Sequence, residues 1–222
     1  MPPKARFTAD KILDAAVELT RGEGVAMVTA RSVAAAIGCS TGPLFTHFGS
    51  MDDLHENLMD RIIALFVTMA GDEQHPDPLV SAGLGWLRFA SEEPRLYEAV
   101  FLTRHPWHAK WGPIRLQLAS RMADHPRYAH LDERARFALV GKASIVMHGL
   151  GLEIWAGRLP NHDHTLLLEQ LVDPVVKAAL EQDQIHDLHS SAPLRKRSSS
   201  GKRSTSSKRS TSSKRSTSSK RP

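Results

Sequence analysis

Residues 28–48 read VTARSVAAAIGCSTGPLFTHF, and this stretch decides the fold of the first part of the chain. Thr29 can cap a short helix that Gly38 ends, and a second short helix is predicted over residues 41–48. Two short helices around a turn of three or four residues form either a plain helical hairpin or a helix-turn-helix. The spacing fits both structures and favours the helix-turn-helix, which reads DNA.

In the helix-turn-helix interpretation, one set of side chains is buried and another is exposed. Val33, Ile37, Leu44 and Phe48 would pack the two short helices against a first helix that Thr8 caps. The exposed side of the second helix would then meet the major groove of DNA. The residues predicted there are Ser40, Thr41, Gly42, Pro43, Phe45, Thr46 and His47.

Helical spacing of apolar residues continues along the chain, and strand patterns are nearly absent. Ser50 can cap a long helix in which Leu54, Leu58, Ile62, Leu65 and Met69 recur at helical spacing. Further helices are predicted over residues 78–91, 94–103, 107–124, 132–157 and 164–184, and Pro113 and Pro174 should kink or interrupt them. The sequence therefore predicts an all-α protein: a three-helix helix-turn-helix domain over 1–50, a connecting helix over 51–70, and a larger helical domain over 51–190.

The charge is divided unevenly between the globular part and the C-terminal tail. Residues 195–222 contain 11 of the 29 Lys and Arg residues and no acid, and they repeat KRSTSS, so we expect a disordered tail. The remaining 18 bases and all 24 acids give residues 1–194 a net charge of −6. Residues 1–60 hold five bases and eight acids, which is a poor balance for binding phosphates.

The tail is therefore predicted to supply phosphate contacts as a nucleic-acid arm. The residues expected to make them are Lys202, Arg203, Lys208, Arg209, Lys214 and Arg215. A solubilising appendage is the alternative, and a membrane-surface role is less favoured because no apolar anchor accompanies the charges.

Residues 38–54, GCSTGPLFTHFGSMDDL, resemble the TetR family of bacterial transcriptional regulators. The family pattern is Gly, a small apolar residue, Ser-x-Gly-x-Leu-Tyr-x-His-Phe, a cap and a long helix, and the resemblance spans about residues 8–70. It implies that Thr29 meets a phosphate and that Arg31 lies where some members read a guanine. It also places Thr41, Gly42, Pro43, Thr46 and His47 on the recognition helix. Phe45 replaces the usual Tyr and Met51 the usual Lys, and each departure removes a phosphate contact.

The resemblance also implies that the larger domain binds a small molecule and forms a dimer. Residues 147–160, MHGLGLEIWAGRLP, resemble the His-Gly helix of one subgroup. The candidates to line an internal cavity are Trp86, Phe89, Tyr97, Phe101, Trp107, Trp111, Met147, His148 and Trp155. Ordinary helical core is the alternative for each residue singly. His148, Tyr97 and Glu153 are the polar groups expected nearest the ligand.

Several other classes of protein are not favoured by the sequence. Cys39 is the single cysteine, which excludes a disulfide scaffold and a cysteine-rich zinc module and fits a reducing compartment. Pairs of histidines at 105/108, 162/164 and 186/189 have workable spacing, but surface histidines are the commoner explanation and no metal is predicted. No phosphate loop, nucleophile elbow or His-Glu-x-x-His helix occurs, so neither an enzyme nor a cofactor is expected. No run of about 20 apolar residues or signal peptide is found, so we expect a cytoplasmic, nucleoid-associated protein without membrane contact.

These features predict a homodimeric regulator that binds a palindromic operator in double-stranded DNA. Repression released by a small apolar effector is the favoured mode. Two alternatives come from other classes: a non-specific, nucleoid-type DNA-coating protein that uses the tail, and a helical small-molecule carrier.

Overall fold

A computed structural model describes residues 7–103, 108–159 and 164–190, and every regular element in these ranges is helical. The all-α prediction is therefore confirmed. The candidate cavity residue Trp107 and the six tail residues predicted to contact phosphate lie outside the described residues.

The first three helices pack around one small core. Helix α1 (Ala9–Glu23) begins where the Thr8 hydroxyl accepts a hydrogen bond from the backbone N–H of Lys11, as the sequence predicts. Helix α2 (Ala30–Ile37) begins with a reciprocal cap between Thr29 and Ser32, and α3 (Gly42–His47) follows it. The shared core consists of Ile12, Ala16, Val33, Leu44 and Phe48, each at most 4% exposed.

Gly38 makes the turn between α2 and α3 possible. Its φ of +70° lies in the left-handed region, which side chains with a Cβ rarely adopt. The N–H of Cys39 reaches back to the carbonyl of Ala34, so the end of α2 is satisfied by a backbone hydrogen bond of 2.9 Å.

Helix α4 (Met51–Gly71) joins this core to the larger helical part. The Ser50 hydroxyl caps it by accepting a hydrogen bond from the N–H of Asp53, 3.1 Å away. Leu54, Leu58 and Ile62 are buried along one side of it.

The larger part contains five further α-helices in the described ranges, with α5 at the centre. They are α5 (Pro78–Glu92), α6 (Pro94–Tyr97, continued by a π-helical turn over Glu98–Leu102), α7 (His108–Arg121), α8 (Glu133–Trp155) and α9 (Thr165–Ser190). Helix α5 packs against α4, α7, α8 and α9. Gly85 makes the α4 contact possible, because a Cβ there would lie 2.3 Å from the carbonyl oxygen of Met69.

Neither internal proline ends its helix, so the expected interruption is wrong, and the alternative of a kink stays a prediction. Pro113 lies within α7 and Pro174 within α9, which continues to Ser190 rather than ending near residue 184. Leu168, Val172 and Val176 are completely buried on both sides of Pro174. Their packing offsets the backbone hydrogen bond that a proline removes.

Candidate nucleic-acid interface and ligand cavity

Helix α3 turns one side to the core and the other to solvent. Leu44 is 1% exposed and anchors the helix, whereas Phe45, the next residue on the same turn, is 47% exposed. Ser40, Gly42, Thr46 and His47 are exposed as well, and Thr41 and Pro43 are partly buried. The structure thus brings the predicted recognition residues together on one accessible surface.

The start of α2 carries the two other residues predicted to contact DNA. Thr29 and Arg31 are both exposed. The Thr29 hydroxyl already caps α2, accepting from the N–H of Ser32 at 3.2 Å. Arg31 makes no ion pair with any part of the chain that the structure describes, so its guanidinium is available to a ligand.

Two histidines fix the orientation of the short helices. Nε2 of His47 lies 2.9 Å from the carbonyl oxygen of Phe7, which ties the end of α3 to the start of α1. Nε2 of His55, on α4, lies 3.0 Å from the carbonyl oxygen of Val28, just before α2. Sequence reasoning did not single out His55, since its partner is 27 residues away.

Cations from outside the first 60 residues offset part of the acidity of this region. Arg61 approaches Asp10 at 3.6 Å and Asp14 at 2.6 Å. Lys110 of α7 contacts Glu56 at 3.7 Å and Asp60 at 2.5 Å. The count of bases and acids within residues 1–60 therefore overstates the negative charge near α1 and α4.

A cavity of about 360 Å³ lies between α4, α5, α7 and α8. Trp86, Phe101, Trp111, Met147 and His148 line it, all of them sequence-predicted candidates. The remaining lining residues are Phe66, Val67, Ala70, Gly71, Leu79, Ala82, Ile114, Arg115, Gln117, Leu118, Arg121, Val140, Ser144 and Ile145.

Three other candidates lie elsewhere. Phe89 and Tyr97 are completely buried in the surrounding core and do not reach the cavity lining. Trp155 is 36% exposed near the end of α8. Glu153 is also outside the cavity: both of its carboxylate oxygens accept hydrogen bonds from Arg158 at 2.7 Å.

Stacked and edge-on aromatic rings form the inner wall of the cavity. The ring of Phe101 lies 4.7 Å from that of Trp86 and stacks on Trp111 at 5.0 Å. Phe66 meets all three rings edge-on, at 5.1 to 5.8 Å. Sequence reasoning missed Phe66, which in the long apolar pattern of α4 resembles any other core residue.

Tyr97 and His148 are the polar groups beside this wall, and both are neutral near pH 7. The Tyr97 hydroxyl donates to the carbonyl oxygen of His148 at 3.3 Å, and burial raises the pKa of Tyr97 to about 12. Burial lowers the pKa of His148 below its ordinary value, since removal from water disfavours the charged ring.

Among the described residues, no three His, Cys, Asp or Glu side chains come close enough to hold a metal ion. The histidine pairs 105/108 and 162/164 each include a residue outside the described ranges.

Comparison with known proteins finds a family model that matches the first part of the chain. The sequence model of the bacterial regulatory proteins of the tetR family matches residues 12–58, which covers the three short helices and the first turns of α4. These residues, about a fifth of the chain, are similar to that family. A curated relative from Streptomyces coeruleorubidus, named HTH-type transcriptional repressor DrrR1, is 29% identical over 107 residues. This match covers 47% of the chain and 35% of that protein, so it spans about a third of the relative's length.

Solved structures of TetR-type regulators share the fold of this chain. Two come from Rhodococcus sp. RHA1, with TM-scores of 0.54 and 0.55 at 18% and 19% identity. They cover 82% and 79% of the chain and 98% and 97% of their own lengths. The TetR family repressor AlkX from Dietzia sp. strain DQ12-45-1b, implicated in biodegradation of n-alkanes, has a TM-score of 0.50 at 18% identity. It covers 80% of the chain and 98% of its own length. At these identities the likeness concerns the fold alone.

One helix of the chain, α8, is long and apolar. By length and composition, α8 is the one helix among the described residues that could cross a membrane. A single such helix is weak evidence for a membrane span, because core helices of soluble proteins pass the same test. In α8, 28% of the residues in the apolar window are buried, and Ile145 is 74% exposed.

Proposed function

We propose that the protein is a homodimeric transcriptional regulator that binds a palindromic operator and releases it when a small molecule enters the cavity. The observation that carries this proposal is the capped helix-turn-helix of the TetR type, with its recognition helix exposed. The name of the curated relative makes repression the favoured mode of regulation.

The DNA-binding surface is assigned to α3 and the start of α2. Leu44 and the His47–Phe7 hydrogen bond hold α3 at a fixed angle, so Thr46 and its exposed neighbours can approach base edges. Arg31 is free for a bidentate contact with guanine. Such contacts supply sequence preference, which contacts between a basic tail and phosphates cannot provide.

The dimer interface is assigned to the uncovered face of α8 and α9. Ile145 is 74% exposed on α8, and Leu166 is 66% exposed on α9. A Cβ at Gly149 would meet nothing within 4 Å, which leaves room for a second helix to approach closely. Exposed apolar side chains on two adjacent helices suit a four-helix interface with an identical copy.

The cavity is connected to the DNA-binding surface through α4 and α7. Helix α4 contributes Phe66 to the cavity wall. His55 lies on the same helix, more than two turns closer to its start, and holds the loop before α2. Helix α7 contributes Trp111 to the wall, and the adjacent Lys110 binds Asp60 of α4. A ligand that displaces either helix would change the spacing of the two recognition helices in the dimer.

The basic tail supports a second, non-specific contact with the DNA backbone. Eleven cations without an acid can neutralise phosphates from any sequence. The same observation favours the alternative function of a DNA-coating protein that acts on the nucleoid.

Selection of bound sequences from random duplex DNA, followed by footprinting, tests the proposal. The full-length chain should enrich one palindrome and protect that site alone. Protection of all sequences would replace the regulator with the coating protein. No protection would leave the helical carrier as the better explanation.

Solution mass tests the dimer. Leu166→Asp places a charge on the proposed interface and should yield monomers in light scattering. Leu116→Asp is the matched control, since Leu116 is 42% exposed on α7, away from that face. The interface assignment fails if both variants remain dimeric.

A further inference from the structure

The cavity lining is positively charged at one side. Within the part of the chain that the structure describes, its 19 lining residues include Arg115 and Arg121, both on α7, and no Asp or Glu. This is unexpected in a chain whose first 194 residues carry more acids than bases.

Arg115 differs from the other arginines by being partly buried without a partner. The partly buried guanidiniums of Arg21, Arg61, Arg88 and Arg127 each contact a carboxylate. Arg136 donates to two backbone carbonyls. Among the arginines in the described ranges, Arg115 is the one that combines partial burial with no hydrogen bond or ion pair.

Arg121 lies two turns further along α7, at the exposed edge of the same cavity. Its Nη1 is 3.9 Å from the position that a Cβ on Gly71 would occupy, where α4 ends. It also makes no ion pair with the described residues. Arg115 and Arg121 therefore both lie on the α7 wall of the cavity. The aromatic rings of Phe101 and Trp86 line its interior.

We infer that the effector is an apolar carboxylic acid whose hydrocarbon body fills the aromatic interior and whose carboxylate binds Arg115, with Arg121 adding charge at the edge. The inference rests on the proposed effector function of this cavity. A carboxylate accepts two parallel hydrogen bonds from a guanidinium, which matches the geometry of arginine. A partly buried cation without a counter-ion favours an anion and repels a cation.

The volume limits the size of the acid. At roughly 30 Å³ per non-hydrogen atom, the volume that a water molecule occupies in the liquid, 360 Å³ holds about a dozen atoms. Decanoate is of this size. Decanol and decyltrimethylammonium carry similar hydrocarbon chains with a neutral and a cationic head, so the three compounds separate charge from apolar contact.

Calorimetric titration of the full-length chain with these three compounds, without DNA, tests the inference. Decanoate should bind at least about tenfold more tightly than decanol, the difference expected from one charge-assisted hydrogen-bonding pair. Decyltrimethylammonium should bind more weakly than decanol. Decanoate affinity should stay constant above about pH 6, since the carboxylate of decanoate stays ionised there.

Two variants and a control localise the effect. Arg115→Gln should lower decanoate affinity about tenfold and leave decanol affinity unchanged. Arg121→Gln, at a more exposed position, should have a smaller effect in the same direction. Arg134→Gln is the matched control, because Arg134 is an exposed arginine on α8 outside the lining, and it should change nothing.

Each outcome decides between the two levels of the proposal. Equal binding of decanol and decanoate, or unchanged decanoate binding in Arg115→Gln, would overturn the carboxylate inference and leave an effector cavity in place. Absence of binding by all three compounds would overturn the inference and count against the effector cavity itself. Binding of decanoate that does not weaken the complex with operator DNA would support the inference and overturn ligand-controlled release.

Discussion

Arg21 of α1 and Glu93, at the start of α6, form a two-pronged ion pair. Nε of Arg21 lies 2.8 Å from Oε2 of Glu93, and Nη2 lies 2.9 Å from Oε1. The hydrogen bond that Arg21 donates to Glu93 is the largest cause that raises the pKa of Arg21, and Glu18 accepts a further hydrogen bond from it. Helix α1 is therefore attached to the larger helical part at this point as well as through α4.

We expect this pair to matter more for communication than for stability. The side chains are 37% and 21% exposed, so solvent screening limits the pair to about 0.5–1 kcal/mol of the free energy of unfolding. A double-mutant cycle of Arg21→Ala and Glu93→Gln, measured by thermal unfolding, should give a coupling of this size. In the same variants, effector should weaken operator binding less than in the parent chain.

The exposed Arg158–Glu153 pair provides the control for this cycle. It lies at the end of α8, remote from α1, and Arg158→Ala should leave both the melting temperature and the response of operator binding to effector unchanged. An unaltered effector response in both Arg21→Ala and Glu93→Gln would assign signal transmission to α4 alone.

Arg31→Ala should lower affinity for the selected operator by about 1–3 kcal/mol and relax the base preference at one position. Thr46→Ala should also weaken specific binding, while both variants keep the fold and mass of the parent. Arg31→Lys retains the charge but loses the bidentate geometry, so it should preserve salt dependence and lose base preference. Competition binding against operators with single base changes measures both properties. Unchanged affinity and preference in Arg31→Ala and Thr46→Ala would contradict the assignment of this surface.

Gly85→Ala should destabilise the fold by about 1–3 kcal/mol or more, because the new Cβ meets backbone rather than a movable side chain. The nearest atoms are the carbonyl oxygen of Met69 at 2.3 Å and Cα of Ala70 at 2.5 Å. Gly22→Ala is the control: nothing lies within 4 Å of its Cβ position on α1, so stability should rise by about 0.5–1 kcal/mol. Equal denaturation midpoints for the two variants would show that α4 and α5 separate readily.

His148 should make stability depend on pH. Burial lowers its pKa from the ordinary value of 6.5, so the unfolded chain binds the proton more readily than the folded chain. Stability is therefore highest above pH 6.5 and declines as the pH falls below it, until the folded state also takes up the proton. Replacing the ring in His148→Gln should reduce the loss of melting temperature between about pH 7 and pH 5. His130→Gln, at an exposed position, controls for the loss of an imidazole, and identical pH profiles for His148→Gln and the parent would refute the prediction.

The sequence predicted the local structure well because its signals are local. Thr8, Thr29 and Ser50 cap helices where the capping rule places them, and Gly38 adopts the left-handed turn that its position requires. The boundaries of α4 and α5 follow from the same rules.

Contacts between distant parts of the chain were harder to predict than the local structure. Helix α8 is apolar on most sides, so its pattern could not tell that Trp155 points to the surface while Met147 reaches the cavity. Phe66 belongs to the apolar pattern of the buried residues of α4, so the pattern did not distinguish it from them. Pairs such as Lys110 with Asp60 join residues 50 positions apart, and no spacing rule relates them.

The tail prediction is independent of the family resemblance, since it follows from charge alone. Truncation after Leu194 removes eleven cations and should change affinity for DNA more than sequence preference. Each phosphate that the tail engages adds about 0.9 to the slope of log K against log salt, so engagement of half the charges implies a fall of roughly 5 on truncation. Non-specific binding should then nearly vanish, while preference for the operator persists, because contacts to phosphates carry no sequence information. A scrambled tail of the same composition is the matched control and should keep the slope of the full-length chain. Titration of a random duplex at several salt concentrations measures the slopes. Equal slopes for the full-length and truncated chains would mean that the tail is inert and that Arg31 and its neighbours suffice for DNA binding.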